Sequence, residues 1–332
     1  MTLPPDFSSL SPDPSTDCAA ELVWKHLRHI DADGTRIARA LRRSFDMLLD
    51  GPNTGRYRWD QLSKTEKAHC GTIVEINLQR EFSFDDGTIL DYSIEGYEVD
   101  CKYSQTFGGW MIPPEAVNRL LLVVWANDEK GIWSAGILRA RQEWLNHKSN
   151  RDSKLTLQAA ERGHIRWVHE NAPLPENGLL RVPAEDLAVI HAKASGQQRI
   201  NELFMRATGI RLSRNAIWTV ATANDTPKDD PTRRIRGGKE GARGQLKEKG
   251  FVIFGDYSAH RRAARQLRLP EPGDGEYVSV RLTPRRLRHG DAPWISLEGE
   301  DWVVAGPDDP VAAGPALPEV KRRTRQAAET AD

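Results

Sequence analysis

Two aspartates and a lysine, Asp91, Asp100 and Lys102, stand where a short hairpin would gather them. Residues 88–93 and 97–104 read as two strands joined by a tight turn at Glu95-Gly96. Side chains alternate along a strand, so Asp100 and Lys102 share one face while Val99, Cys101 and Tyr103 share the other. Asp91, on the preceding strand, reaches the same edge. Carboxylates brought that close repel unless a cation neutralises them, and Mg2+ is the usual hard-oxygen partner. An ammonium beside such an ion can orient a water and steady charge that develops on a phosphate.

The plainer reading is an exposed charge pair on a strand, which Asp-x-Lys often is. A further carboxylate counts against it. Glu75 sits among apolar neighbours in Ile73-Val74-Glu75-Ile76, on a predicted helix, rather than on an all-polar face. Asp, then Asp-x-Lys on the following strand, resembles the signature of the Pro-Asp…Asp/Glu-x-Lys nucleases, with Leu90 where proline often stands. Cys101 is assigned to packing, with its backbone carbonyl near the metal. Trp110 is also assigned to packing, and the lone histidines His69 and His164 are assigned no role.

The elements that must hold these residues follow from periodicity and punctuation. Residues 1–17, rich in Pro, Ser and Asp, read as a disordered tail. Between 19 and 49 apolar residues recur at helical spacing (Ile37, Leu41, Phe45, Leu48), with a break at 31–34 and a stop at Asp50-Gly51-Pro52. A helix over 63–81 opens on a capping box, Ser63 with Glu66. The apolar run 120–126 predicts a buried central strand, with 132–140 as its neighbour. Residues 18–169 would then form one mixed-sheet α/β domain, and Pro173, Pro175 and Gly178 mark 170–178 as a linker.

Beyond it, 179–316 reads as a second domain. Helices over 197–208 and 213–222, the latter capped by Ser213, precede a helix from Lys239 that Gly250 closes ahead of a strand at 251–254. Strands near 277–282, 295–298 and 302–305 complete a winged helix-turn-helix pattern. Arg233, Arg234, Arg236, Lys239 and Arg243 are the candidate DNA-phosphate contacts. The end, 317–332, reads as a basic flexible tail.

Composition narrows the class without choosing it. The 332 residues carry 47 Lys and Arg against 47 Asp and Glu, so net charge decides nothing about nucleic acid. Three cysteines at no metal-type spacing indicate neither a disulfide framework nor a zinc site. With no signal pattern and no apolar run near the roughly 18 residues of a membrane span, the expected location is cytoplasmic, away from membranes.

With these segments in place, the chain resembles the NaeI-type (type IIE) restriction endonucleases. The resemblance runs between the two tails. It rests on Asp50-Gly51, Thr54-Gly55-Arg56, Lys64-Thr65-Glu66-Lys67, Val74-Glu75-Ile76-Asn77-Leu78, Val99-Asp100-Cys101-Lys102, Trp110-Met111-Ile112-Pro113-Pro114-Glu115, Asn201-Glu202-Leu203-Phe204 and Gly241-Ala242-Arg243. It implies a restriction-endonuclease-like core followed by a CAP-like winged helix-turn-helix domain. It also implies homodimers that cut a palindromic DNA site, GCCGGC in the family, using Mg2+ and leaving 5′-phosphate and 3′-hydroxyl ends. A second bound DNA copy acts as effector in such enzymes.

The family's catalytic positions fall on Glu75, Asp91, Asp100 and Lys102, with the three carboxylates as metal ligands. A ligase-like Lys-x-Asp-Gly motif reads here as Leu48-Leu49-Asp50-Gly51, and leucine cannot form the phosphoramide that ligation needs. Segments 147–154 and 225–232 depart from the family in composition. The alternatives are a non-catalytic dimeric DNA-binding regulator and a structure-specific repair nuclease.

Overall fold

Helix α1 (Cys18–Ile30) and helix α2 (Thr35–Leu49) realise the periodicity of residues 19–49, in a computed structural model that describes residues 17–146, 153–222 and 231–318. Nearly all of the tails 1–17 and 317–332, and most of the divergent segments 147–154 and 225–232, lie outside the described residues. Asp31 makes the break between α1 and α2. Its buried carboxylate accepts the backbone N–H groups of Arg36 and Ile37 at 3.0 and 2.9 Å, donors that a helix start otherwise leaves unpaired. After the predicted stop, Asp50 adopts φ 47° and a single turn follows, α3 (Gly51–Thr54).

Helix α4 (Lys64–Phe82) begins on the predicted capping box, with Ser63 Oγ accepting the Glu66 N–H and the Glu66 carboxylate accepting the Ser63 N–H. Its buried positions Cys70, Ile73, Val74, Asn77 and Leu78 recur every three to four residues and give it one inward face. That face meets α2, where Asn77 Nδ2 donates to Ser44 Oγ at 3.1 Å.

The sheet that follows is mixed, as expected. Strands β1 (Asp85–Asp86), β2 (Tyr92–Ile94), β3 (Tyr97–Ser104), β4 (Leu120–Asn127), β5 (Ile132–Arg139) and β6 (Arg166–Pro173) lie in chain order. Only β3 and β4 pair in parallel, with Asp100 opposite Leu121 and Lys102 opposite Val123. Strand β4 is buried along nearly its whole length, which explains its continuous apolar run. The β2–β3 turn places Glu95 at φ 52° and Gly96 at φ 77°, the left-handed pair that a two-residue hairpin turn uses.

Two expectations need correction here. The strand placed at 88–93 is confined to β2, because the Glu98 carboxylate accepts the N–H groups of Thr88, Ile89 and Leu90 and draws them out of any ladder. The linker placed at 170–178 begins too early. Strand β6 continues through Pro173, which is paired with Ile132, and the Leu174 N–H bonds to Gly131 O.

By its internal contacts the chain divides into two units, 1–48 with 62–176, and 49–61 with 177–332. The second unit holds helices α5 (Ala184–His191), α6 (Gly196–Arg206), α7 (Arg214–Thr222), α8 (Pro231–Arg236), α9 (Ala242–Lys247) and α10 (Ser258–Gln266). Its strands are β7 (Leu212–Ser213), β8 (Phe251–Phe254), β9 (Glu276–Pro284), β10 (Trp294–Leu297) and β11 (Glu300–Val304). They form an antiparallel sheet ordered β10-β11-β9-β7, with β8 also paired to β9. Alternation along β8 divides the core. Ile253 joins Leu203, Phe204, Ile217 and Leu246, while Val252 and Phe254 join Ala264, Leu267, Val280 and Trp302. Arg199, wholly buried, donates to the carbonyls of Val220 and Ala221 and so neutralises the C-terminal end of α7.

Segment 49–61, placed by sequence within the first domain, packs in this second unit. A Cβ on Gly51 would lie 2.1 Å from Thr219 Oγ1, so only glycine permits α3 its approach to α7. Thr222 Oγ1 donates to Pro52 O, and Asn177 Nδ2 donates to Tyr57 O at 2.8 Å. The helix expected from Lys239 is interrupted, with a 3-10 turn at Gly238–Glu240 ahead of the six-residue α9. The basic approach at 233–236 is itself helical, in α8. Among the described residues no helix is long and apolar enough to cross a membrane.

Candidate active site

The first unit brings the predicted catalytic residues onto one side of β3. Alternation along β3 puts Asp100 and Lys102 together, and Lys102 Nζ lies 2.7 Å from Asp100 Oδ2. Asp91, at the end of the loop before β2, places Oδ2 3.7 Å from the same ammonium and accepts the Cys101 backbone N–H at 2.7 Å. That bond fixes Asp91 beside β3 where β2 is no longer its partner. The loop behind it is held by Glu98, whose carboxylate takes the N–H groups of Thr88, Ile89 and Leu90 at 2.6, 3.1 and 3.3 Å.

Glu75 enters from α4, half-buried, and Tyr92 fixes that turn of the helix by donating its hydroxyl to the Glu75 backbone carbonyl at 2.7 Å. Burial raises the Glu75 carboxyl above its ordinary range, Asp91 and Asp100 add repulsion, and Lys102 opposes. Asp100 is 4% exposed, and burial pushes its carboxyl up to about 6 against the pull of Lys102, with Asp91 adding to the rise. Burial works against the Lys102 ammonium, but Asp100 and Asp91 outweigh it and hold its pKa above the ordinary lysine range. The site therefore keeps a charged lysine beside carboxylates that are reluctant to ionise together.

The donor set fits a hard divalent cation. Asp100 Oδ2 is buried, with the Lys102 ammonium 2.7 Å away. Lys102 Nζ also donates to Cys101 O at 3.1 Å, so two carboxylates and a carbonyl, all oxygen donors, gather around that ammonium. Among the described residues no group of three or more His, Cys, Asp or Glu side chains is placed to hold a metal ion by itself. Mg2+ is commonly held by one or two carboxylates plus substrate phosphates, so a partial shell agrees with that ion.

The residues set aside also have clear places. Cys101 is buried and burial pushes its thiol well up, which leaves it neutral packing. Trp110 is fully buried, with Nε1 donating to Val124 O at 2.8 Å. His69 is exposed, and His164 stacks on Trp144 at 4.0 Å. Tyr92 and Glu98 are missing from the sequence reading. Alternation along β2 and β3 shows which face each occupies but not which backbone groups they meet.

The basic candidates of the second unit do not converge. Arg233 and Lys239 are exposed, while Arg234 is half-buried with its guanidinium against Gly196. Arg236 lies over the Tyr257 and Tyr277 rings at 5.2 and 5.7 Å. Arg243 is turned inward. Its Nε donates to Ile253 O at 3.0 Å, its Nη2 is buried, and burial lowers its pKa.

Comparison with known proteins gives the family. The family model for restriction endonuclease NaeI matches residues 21–313. The type II restriction enzyme NaeI of Lentzea aerocolonigenes is 40% identical over 306 residues, which is 90% of this chain and 94% of that enzyme.

Proposed function

This chain belongs to the restriction endonuclease NaeI family, and from that premise we propose that it makes Mg2+-dependent double-strand cuts at one palindromic DNA site. The expected site is GCCGGC, and the expected products carry 5′-phosphate and 3′-hydroxyl ends. The observation that carries this reading is the cluster itself, with the buried Asp100 Oδ2 and the Asp91 Oδ2 lying 2.7 and 3.7 Å from the Lys102 ammonium.

Asp91 and Asp100 would hold the ion with the Cys101 carbonyl, and Glu75 would complete its shell or hold a second ion. Bound Mg2+ supplies Lewis-acid charge and makes its water a stronger nucleophile near neutral pH. Lys102 would orient a water in line with the leaving 3′ oxygen and would stabilise the extra charge on the phosphate. The first unit is then a restriction-endonuclease-like core, and the second a CAP-like winged helix-turn-helix domain built on α6, α7 and α9 with the following strands. Arg233 and Lys239 would meet phosphates, with Arg234 and Arg236 beside them. Arg243 would brace the domain from within. A homodimer suits a palindrome, since each subunit then meets one strand in the same way.

Digestion of a plasmid with several GCCGGC sites tests the reading, with wild type and Lys102→Ala compared with and without Mg2+. Discrete fragments ending at that site are expected. The substitution should slow cutting by about 10²–10³-fold, the usual size for one lost charge-stabilising donor. Indiscriminate cutting, or none with any divalent ion, would sink it. Activation by a second copy predicts that added cognate duplex speeds cutting of a single-site substrate. An unchanged rate refutes that part alone.

A further inference from the structure

The loop between β9 and β10 carries Arg285-Arg286-Leu287-Arg288-His289, three arginines and a histidine around one leucine, with no acid among them. Leu287 is 102% exposed at the tip of a 3-10 turn, Leu287–His289. One exposed leucine needs no explanation. What sets this one apart is the framework under it.

His289 Nδ1 accepts the Arg286 N–H at 2.8 Å, so the neutral ring carries its proton on Nε2, which faces Asp309 Oδ1 at 3.1 Å. The same carboxylate lies 2.5 Å from the Arg288 guanidinium and accepts the Gly306 N–H at 2.8 Å. These contacts, the Gly306 N–H and His289 first among them, hold its pKa down at about 2, so the Asp309 carboxylate stays charged at neutral pH. Arg285 ties the two ends of the turn by donating to Gly290 O at 2.9 Å, and its guanidinium lies 5.2 Å over the half-exposed Trp294 ring. Arg286, on the exposed side, donates from Nη1 to Arg285 O at 3.3 Å and lies 3.7 Å from Glu300. A rigid backbone thus presents an apolar point between cationic arms.

We propose that this loop is a DNA-docking element of the second unit. Leu287 enters the minor groove and wedges between base steps, while Arg286 meets a phosphate beside it and Arg288 stays in the clamp that holds the turn. An apolar side chain flanked by arginines is the chemistry by which proteins part and bend a duplex from its minor groove. Preorganisation matters because a wedge that had to order itself first would lose affinity to that ordering. The inference rests on the reading of the second unit as DNA-binding and adds the element that performs it.

The test uses the full chain in chelator, so that nothing is cut, with labelled cognate duplex followed by anisotropy and end-to-end energy transfer. Leu287→Ala should weaken binding about tenfold, as for a leucine lost from a buried contact, and reduce the bend. Arg286→Ala should lower the salt slope by about 1. Thermal melting should not change for Leu287→Ala, since the side chain touches no core.

If wild type cuts its site while both variants bind and bend like wild type, the inference is overturned and the nuclease reading stands. If Leu287→Ala instead dissociates a dimer in sedimentation, the loop is a subunit contact and the inference is equally overturned. If wild type neither binds nor cuts duplex, the nuclease reading fails and takes the inference with it.

Discussion

Asp100 and Lys102 each owe their charge state to the other and to burial. The ammonium stays charged because two carboxylates surround it, and Asp100 titrates late because burial outweighs that single lysine. Their shared face was legible because β alternation is a local rule. The burial of Asp100 was not, since it depends on what covers β3. Glu98 shows the same limit. It is exposed in sequence terms, yet its carboxylate shapes the loop that delivers Asp91. Glu98→Gln replaces one accepting oxygen with an amide that can only donate there. Cutting should fall by about 10–100-fold, the range for partners that orient a site's ligands, with DNA binding in chelator unchanged. A variant that cuts at the wild-type rate would show that Asp91 needs no such support.

At the scale of elements, the capping box of α4 and the Glu95-Gly96 turn were both readable, because each is made by side chains within a few residues. Ser63→Ala should cost about 1 kcal/mol of stability, the usual value of an N-cap. Urea unfolding would read it, with cutting at saturating DNA unaffected. A loss of cutting with no loss of stability would mean that Ser63 serves the site directly. The extension of β6 escaped the sequence because it exists only through β5, a partner strand distant in the chain. The early linker at 170–178 failed for that reason: Pro173 signals an end locally, but β5 keeps it in the sheet.

At the scale of the molecule, buried charge makes a pH prediction. His260 is 1% exposed and its Nδ1 accepts the Gly255 N–H at 3.1 Å. Burial, helped by Arg243, lowers its pKa to about 4. A histidine depressed in the folded state contributes stability above its unfolded value near 6.5, and that stability is lost as pH falls toward 4. The loss cannot exceed about 1.4 kcal/mol per pH unit for one proton. Chemical unfolding between pH 7 and 4.5 should show wild type losing stability faster than His260→Gln, and parallel curves would refute it.

The family, the grouping of Asp91, Asp100 and Lys102, and the order of the main helices and strands came from sequence alone, because motif, period and cap are written in neighbouring residues. Tertiary structure decided that 49–61 packs with the second unit, that 88–91 is a clamped loop and that Arg243 faces inward. Each depends on a partner far along the chain: Thr219 for Gly51, Glu98 for the loop, and Ile253 for Arg243. Contacts at such separation leave no local pattern, because their energy is gained only when the chain has closed on itself.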